Sequence, residues 1–330
     1  MERSRAERSA TIMHLPLELL QCCWILAGPT AVGKSVVALE LSERLNAEIV
    51  ALDSMTVYRG MDIGTAKPSR DDQARVPHHL LDVIDPHEEY SLADYLRAAG
   101  VACAGIESRG HVPLFVGGTG LYLRGVLRGL FEGPSANWDI RRELEEVEKT
   151  QGEGTLHRRL QTVDPESAAW LHPHDQRRII RALEVFQLSG EPLSRLQQEA
   201  TLPPEQRPQH VYWLEPPRDW LHTRIDRRVD AMFQEGLVEE VQQLLALPQG
   251  LGRSARQALG YKEVLDHLAG TCTLAATVDT LQTRTRQFAK RQHTWFRNLP
   301  ECRAWSITGC ESPAEIAESL LNATCDDVGS

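Results

Sequence analysis

Residues 24–41 read Trp24-Ile-Leu-Ala-Gly-Pro-Thr-Ala-Val-Gly-Lys-Ser-Val-Val-Ala-Leu-Glu-Leu41, and this stretch decides the fold. A short apolar run leads into G-x-x-x-x-G-K-[ST] and an apolar helix pattern follows, which is the context that a phosphate-binding P-loop requires. The glycines let successive N–H groups point inward, and the helix presents its positive end to an anion. A purely structural turn would leave the Lys-Ser pair without a use. We therefore predict phosphate binding by Gly28, Pro29, Thr30, Ala31, Val32, Gly33, Lys34 and Ser35, with the Ser35 hydroxyl holding Mg²⁺.

Around this loop, short apolar strands alternate with helices in the manner of α/β proteins. Each strand is followed by Gly, Asp or Ser, as buried parallel strands are where they reach a ligand-bearing edge. The predicted strands are Trp24–Ala27, Glu48–Leu52, Pro113–Val116 and His210–Leu214, and the helices between the first three include Ser35–Leu45 and Leu92–Ser108. The predicted fold is a P-loop NTPase-like α/β core with a parallel sheet.

An all-helical domain is predicted to interrupt this core. Between residues 131 and 200 the pattern changes to charged amphipathic helices over Trp138–Thr150, Thr155–Val163 and Asp175–Ser189, and a Pro-rich linker follows at Leu202–Pro208. Further helices are predicted over Trp220–Glu235, Leu237–Ala246, Tyr261–Ala269 and Thr277–Arg297. The predicted organisation is an N-terminal tail (1–22), a core (23–130 and 201–300), an insert (131–200) and a C-terminal tail (301–330).

Composition narrows the class of protein. The chain has 330 residues and a net charge of −10, which argues against a general nucleic-acid coat but allows a local basic groove. Its seven cysteines form no C-x-x-C pair, so we expect neither a disulfide framework nor a structural zinc site, and we place the protein in a reducing cytoplasm. The apolar stretch Leu15–Ala27 is interrupted by Glu18 and Gln21, so no membrane-spanning helix is predicted.

Two further strand ends carry polar groups to the P-loop edge. Asp53 follows the second strand, where it could coordinate Mg²⁺, act as a general base or simply cap a helix. The third strand ends in Val116-Gly-Gly-Thr-Gly-Leu-Tyr122, a second glycine-rich turn that offers N–H donors and the Thr119 hydroxyl. The two glycine-rich turns together suggest an anion held from two sides.

The helix over Thr277–Arg297 has a basic side in an acidic protein. No acidic residue occurs between Gln282 and Leu299. Helical spacing places Leu281, Phe288, Trp295 and Leu299 near one azimuth, and Arg286, Lys290, His293 and Arg297 opposite them. Such a stripe suits RNA phosphates, although an ordinary solvated basic face has the same pattern.

These motifs together resemble the tRNA dimethylallyltransferase family, over about residues 25–296. The resemblance rests on the P-loop and on seven further segments in the same order: Asp53–Pro68, Pro77–Pro86, Val116–Tyr122, Asp175–Glu184, Arg224–Asp230, Ala258–Glu263 and Arg286–Phe296. It implies transfer of a dimethylallyl group from its diphosphate to N6 of adenosine 37 beside the tRNA anticodon. It also implies that the P-loop holds the diphosphate leaving group.

The resemblance also suggests residue roles. Asp53 looks like the base that accepts the N6 proton, Thr119 like the group that steadies the diphosphate, and Arg224 and Arg227 like diphosphate contacts. Surface salt bridges with Asp226 or Asp230 are the alternative for the two arginines. By the same likeness, tRNA contacts are expected from Asp53, Ser54, Met55, Thr56, Thr119, Arg141, Gln176, Arg177, Arg178, Ile179, Ile180, Arg181, Arg256, Gly260, Tyr261 and Lys262, besides the basic stripe of Arg286, Lys290, His293 and Arg297.

The expected partners are the tRNA anticodon stem-loop, dimethylallyl diphosphate and Mg²⁺, for a monomeric, bacterial-type enzyme without membrane association. The target base would have to leave its stack to reach Asp53. His78-His79 beside Asp82 invites a metal interpretation, but neighbouring strand residues face opposite ways and no further ligand spacing supports it. A small-molecule or nucleotide kinase and an ATP-gated RNA-binding protein remain as rival hypotheses. A guanine-nucleotide switch is disfavoured because N-K-x-D is missing.

Overall fold

The computed structural model describes residues 12–131, 133–197, 202–203 and 206–326. The described strands are β1 (Ile12–Met13), β2 (Trp24–Ala27), β3 (Ala47–Leu52), β4 (His78–His79), β5 (Val112–Gly117), β6 (Leu130–Phe131), β7 (His210–Glu215) and β8 (Arg303–Ser306). Six of them form one sheet in the order β4-β3-β5-β2-β7-β8, and every neighbouring pair in it is parallel. The predicted parallel α/β core is therefore confirmed.

Helices pack against the sheet, and further helices make up the insert. Their bounds are α1 (Leu17–Cys22), α2 (Lys34–Leu45), α3 (Arg70–Arg75), α4 (Leu92–Ser108), α5 (Gly120–Arg128), α6 (Trp138–Gln151), α7 (Thr155–Val163), α8 (Pro165–Trp170), α9 (Gln176–Ser189), α10 (Leu193–Leu196), α11 (Arg218–Gln234), α12 (Leu237–Leu245), α13 (Arg253–Arg256), α14 (Tyr261–Leu268), α15 (Leu274–Arg297) and α16 (Pro313–Asp326). The start of α15 precedes the predicted Thr277 because the Thr273 hydroxyl caps it, accepting the N–H of Ala276 at 3.2 Å.

The central strands are buried on both faces, as parallel strands are where helices pack against the sheet. All four residues of β2 and all six of β3 are buried. Parallel strands end at one edge, so the turns that follow β2, β3 and β5 meet there. Gly33 begins α2 from a left-handed conformation with φ of 100°, which a residue with a side chain adopts only with strain.

The described residues divide into two compact units. The smaller one comprises residues 12–14, 128–131 and 133–197, and the larger one comprises residues 15–127, 202–203 and 206–326. In the smaller unit, α6 to α10 pack around buried Leu144, Leu156, Leu160, Ile179 and Leu183. The end of the predicted insert at residues 198–200 and the predicted linker positions 204 and 205 lie outside the described residues.

Both predicted tails contain structure, which corrects the sequence-based expectation. In residues 301–330, β8 pairs with β7, and α16 buries Ile316, Ala317 and Leu320 in the same hydrophobic cluster as residues of α2. In residues 1–22, β1 pairs with β6, and Leu15 and Leu20 are buried. Residues 1–11 and 327–330 lie outside the described residues. These segments escaped prediction because their strands have only two to four residues and carry no alternating pattern.

Candidate active site

A cavity of about 630 Å³ opens at the carboxyl edge of the sheet in the larger unit. Thr30, Lys34 and Ser35 of the P-loop line it together with the turns that follow β3 and β5. Residues of α11, α14 and α15 form further parts of its wall. The structure thus brings the three predicted strand ends to one cavity, as expected from parallel strands that share an edge.

Lys34 is the central cation of the P-loop. Its Nζ donates a hydrogen bond to the Pro29 carbonyl at 2.8 Å. Burial, together with the neighbouring Arg228 guanidinium, lowers the pKa of Lys34 to about 7. An anion in the cavity would favour the charged ammonium, so the loop is suited to a ligand that brings negative charge.

Asp53 lies beside this cation and lines the same cavity. Its Oδ1 accepts N–H groups from Met55 at 2.8 Å and Thr56 at 3.4 Å, which fixes the carboxylate on a turn. Residues 54–60 form no helix, so Asp53 is not a helix cap. Burial raises the pKa of Asp53 above its ordinary value, although these two N–H groups and Lys34 act in the opposite direction. The result is a carboxylate with increased basicity.

The Thr119 hydroxyl joins the ends of β3 and β5. Its Oγ1 accepts the Ser54 N–H at 3.2 Å, and the Thr119 N–H donates to the Leu52 carbonyl at 3.3 Å. Thr119 therefore lies next to Asp53 and lines the cavity, where the sequence placed it.

Of the two α11 arginines predicted to contact the diphosphate, neither lines the cavity. Arg224 donates from Nε to the Ala31 carbonyl at 2.8 Å and lies over the Trp220 ring, so it braces the P-loop from outside. Arg227 is exposed and is not among the residues that line the cavity, whereas Arg228 lines it. The periodicity of the helix indicates that Arg228 faces inward, because it shares a face with the buried residues Ile225 and Val229, whereas Arg227 does not.

The proposed salt bridges of Arg224 and Arg227 are not formed with the expected carboxylates. Asp226 instead pairs with Arg286 of α15, and Asp230 accepts a hydrogen bond from Gln282 at 2.9 Å. Asp226 and Asp230 therefore both face α15.

The faces of α15 were assigned incorrectly from the sequence. The buried face runs through Leu281, Thr285, Ala289, Gln292 and Phe296 at intervals of three and four residues. Phe288 and Trp295 are only partly buried, and Phe288 lines the cavity. Leu281 and Leu299 are buried as predicted.

The predicted basic stripe of α15 is partly neutralised. Arg286 pairs with Asp226, and Arg297 pairs with Glu215 at 2.7 Å. His293 meets the Trp213 ring edge-on at 4.8 Å, and burial lowers the pKa of His293. Lys290 is exposed. The cations of α15 that line the cavity are instead Arg284, which pairs with Glu263, and Arg291; neither was predicted from the sequence.

The other core residues predicted to contact tRNA differ in how accessible they are. Tyr261 is fully buried, and its hydroxyl donates to Glu240 at 2.6 Å, so its ring cannot meet a tRNA as expected. Gly260 and Lys262 line the cavity. Arg256 is exposed and donates from Nε to the Leu251 carbonyl at 2.9 Å.

In the smaller unit, most of the predicted contact residues have structural partners. Arg141 and Arg181 bond the buried Glu184, at 2.9 Å and 2.7 Å. Burial alone would raise the pKa of Glu184, but the hydrogen bonds from these two arginines lower it. The predicted contacts at Ile179 and Ile180 are corrected, because both side chains are in the core of this unit. Exposed positions are Gln176, Arg177 and Arg178, of which Arg178 pairs with Asp175.

The histidine pair on β4 has structural partners. His79 contacts Glu48 at 2.6 Å, and His78 contacts the Val76 carbonyl at 2.7 Å. Within the part of the chain that the structure describes, no group of three or more His, Cys, Asp or Glu side chains could hold a metal ion. No helix in that part is long and apolar enough to span a membrane.

The fold and the cavity define an α/β enzyme with a P-loop-like core, and comparison with known proteins specifies its family. The IPP transferase family model matches residues 56–299, and the chain belongs to this family. The tRNA dimethylallyltransferase of Geobacter sulfurreducens is 50% identical over 276 residues, covering 84% of this chain and 89% of the relative. That of Desulforudis audaxviator is 46% identical over 299 residues, covering 91% and 96%. The chain is therefore a prenyltransferase.

Solved structures agree with this assignment. The tRNA isopentenylpyrophosphate transferase of Bacillus halodurans has 40% identity and a TM-score of 0.67, covering 92% of this chain and 96% of that protein. A eukaryotic dimethylallyltransferase described as acting on tRNA has 26% identity and a TM-score of 0.75, covering 93% and 79%.

Proposed function

We propose that this enzyme transfers the dimethylallyl group of dimethylallyl diphosphate to N6 of adenosine 37, next to the anticodon of tRNA. The observation that carries the proposal is one cavity that holds both the Lys34 ammonium and the Asp53 carboxylate in a chain of this family. The ammonium suits a diphosphate, and the carboxylate suits an amine that must lose a proton.

In the proposed reaction, the bond between the allylic carbon and the diphosphate oxygen breaks as a bond from N6 to that carbon forms. Negative charge grows on the departing diphosphate. Lys34, Arg228 and the P-loop N–H groups would stabilise that charge in a site that is already arranged for it. The Thr119 hydroxyl, held beside Asp53, would steady the diphosphate from the second glycine-rich turn.

The N6 proton would pass to Asp53. One oxygen of this carboxylate is fixed by the Met55 and Thr56 N–H groups, so the side chain is oriented before the substrate arrives. Burial raises its pKa, which makes the ionised form a stronger base. N6 thereby exchanges one bond to hydrogen for one bond to the allylic carbon, and the diphosphate leaves with the electrons of the broken C–O bond.

Mg²⁺ is the proposed cofactor. It prefers oxygen ligands and is commonly held by one or two side chains together with substrate phosphates. Ser35 lies in the first turn of α2 and lines the cavity, so its hydroxyl oxygen fits this ion. When bound, the ion would neutralise charge on the diphosphate.

The proposed tRNA contacts are residues with exposed or cavity-lining cations. They comprise Arg177 and Arg178 in the smaller unit, and Lys262, Lys290 and Arg291 in the larger one. These local cations allow phosphate binding by a protein with a net charge of −10. We further propose that the target adenosine leaves its stack, and that the enzyme is a cytoplasmic monomer.

The test is mass spectrometry of anticodon-loop adenosines after incubation of the protein with unmodified tRNA, dimethylallyl diphosphate and Mg²⁺. We expect a mass increase at adenosine 37, and a strongly reduced increase over the same incubation time for Asp53→Asn. Parallel reactions with γ-labelled ATP and metabolite acceptors test the kinase alternative. Transfer of phosphate without prenylation would overturn the proposal, and tRNA binding that depends on ATP without any chemistry would favour the ATP-gated alternative.

A further inference from the structure

Gln292 joins the two glycine-rich turns of the cavity. Its side-chain Oε1 accepts the Thr30 N–H of the P-loop at 2.9 Å, and its Nε2 donates to the Gly118 carbonyl at 2.8 Å. The residue lies on α15, is 5% exposed and lines the cavity. A single buried amide thus satisfies one donor and one acceptor from segments that are distant in sequence.

The contact requires that residue 118 has no side chain. A Cβ atom at that position would lie 2.3 Å from Gln292 Nε2, closer than real Cβ atoms approach their neighbours. Gly120 makes a similar close approach, because its Cβ would lie 2.8 Å from the Trp295 ring. The second glycine-rich turn therefore packs directly against α15, and its glycines permit that approach.

The contact connects the phosphate site to the proposed base. Gly118 precedes Thr119, whose hydroxyl accepts the Ser54 N–H beside Asp53. Thr30 lies in the loop that carries Lys34. Displacement of either turn would change the distance between the leaving diphosphate and the carboxylate, and small misplacements of reacting groups cost large factors in rate.

We propose that Gln292 is a positioning residue that holds the P-loop and the Gly118–Thr119 turn in register for dimethylallyl transfer. This inference rests on the proposed function. The role requires a side chain that donates and accepts at once, which the Gln amide can do and a carboxylate or a thioether cannot.

Two substitutions separate positioning from packing. Gln292→Met keeps a similar volume and loses both hydrogen bonds, and Gln292→Glu keeps an acceptor for Thr30 but presents a second acceptor to the Gly118 carbonyl. Gln282→Met is the matched control, because Gln282 lies on the same helix, donates to Asp230 at 2.9 Å and is outside the cavity. Each variant is assayed for single-turnover transfer at saturating donor, donor KM, tRNA Kd and Tm.

We expect Gln292→Met to lower the single-turnover rate about 10- to 100-fold with tRNA Kd unchanged. Gln292→Glu should in addition raise the donor KM, because it places negative charge near the diphosphate. The control should transfer at the wild-type rate. A wild-type rate for Gln292→Met, a loss explained fully by its unfolded fraction, or a loss confined to tRNA affinity would each overturn the inference. Absence of transfer by the wild-type protein would instead overturn the proposed function.

Discussion

One carboxylate, Glu48, lies near the beginning of strand β3, and another, Asp53, lies just beyond its end. The protein shifts their pKa values in opposite directions. Glu48 is surrounded by cationic or hydrogen-bonding groups: Arg109 at 2.9 and 2.7 Å, His79 at 2.6 Å and His111 at 2.9 Å. The Arg109 hydrogen bonds lower the pKa of Glu48 to about 2. Asp53 accepts two backbone N–H groups, and burial raises its pKa.

A structural carboxylate thus differs from one available for chemistry in its hydrogen bonding and in its pKa. The Glu48 carboxylate has both oxygens engaged and is stabilised in its charged form, so it is a poor base. Asp53 has only Oδ1 engaged by hydrogen bonds among the described residues, and its environment disfavours the charge. Perturbation toward higher basicity in a cavity is what a general base requires.

The largest expected effect is on turnover. Asp53→Asn keeps an oxygen that can accept the Met55 and Thr56 N–H groups but cannot take a proton from N6. Single-turnover transfer should fall about 100- to 10,000-fold, the range for loss of a general base. Gel-shift titration should show unchanged tRNA affinity. Retention of the wild-type rate would remove Asp53 from the reaction.

At the other carboxylate the main effect should be on folding. Glu48→Gln leaves Arg109 without its ion pair, so we expect a loss of about 1–3 kcal/mol in the free energy of unfolding. Urea denaturation measures this loss, and dimethylallyl transfer per folded molecule should equal that of the wild type. If stability is unchanged while transfer falls, the assigned difference between the two carboxylates is wrong.

The pH dependence of stability should have opposite signs at the two sites. Because the folded pKa of Glu48 is about 2 and its ordinary value is 4.5, its contribution is complete above 4.5 and is lost as pH falls toward 2. Asp53 has a raised folded pKa, so its ionised form costs stability at neutral pH and this cost disappears in acid. Asp53→Asn should therefore raise Tm at pH 7, with a difference that narrows as pH falls. A lower Tm at pH 7 would contradict the raised pKa.

The smallest expected effect is proton uptake by Lys34 when pyrophosphate binds. Because burial lowers the pKa of Lys34 to about 7, the ligand-free protein should carry little charge there at pH 8. Binding of pyrophosphate should restore that charge with uptake of up to about one proton. Calorimetric titration in buffers of different ionisation enthalpy measures the uptake, and Lys34→Met provides the control. Equal uptake by the wild type and this variant would locate the proton elsewhere.

Local patterns predicted four strands of the sheet and its polar edge from the sequence. The P-loop, Asp53 and Thr119 each come directly after a strand in the sequence. Because the ends of parallel strands lie at one edge, their proximity could be predicted without knowing any side-chain contact. Arg228 was missed by one residue, although the apolar Ile225 and Val229 place it, rather than Arg227, on the inward face of α11.

Long-range pairing set the limit of prediction on α15. Arg286 and Arg297 are basic in sequence, but their partners Asp226 and Glu215 lie on α11 and β7, more than fifty residues away. Gln292 gave no signal either, since a buried Gln is identified only by the turns that it joins. Residue type indicates charge, and tertiary contacts decide which charges are still available.

The pairing of β8 with β7 has a practical consequence for shortened versions of the enzyme. A protein cut before Arg303 would expose the outer edge of β7, leaving a row of amide and carbonyl groups beside the large side chains of Tyr212 and Trp213. Bare edges of this kind pair with other chains. Truncation there should therefore yield self-associating material, so an affinity tag or crystallisation boundary belongs beyond α16.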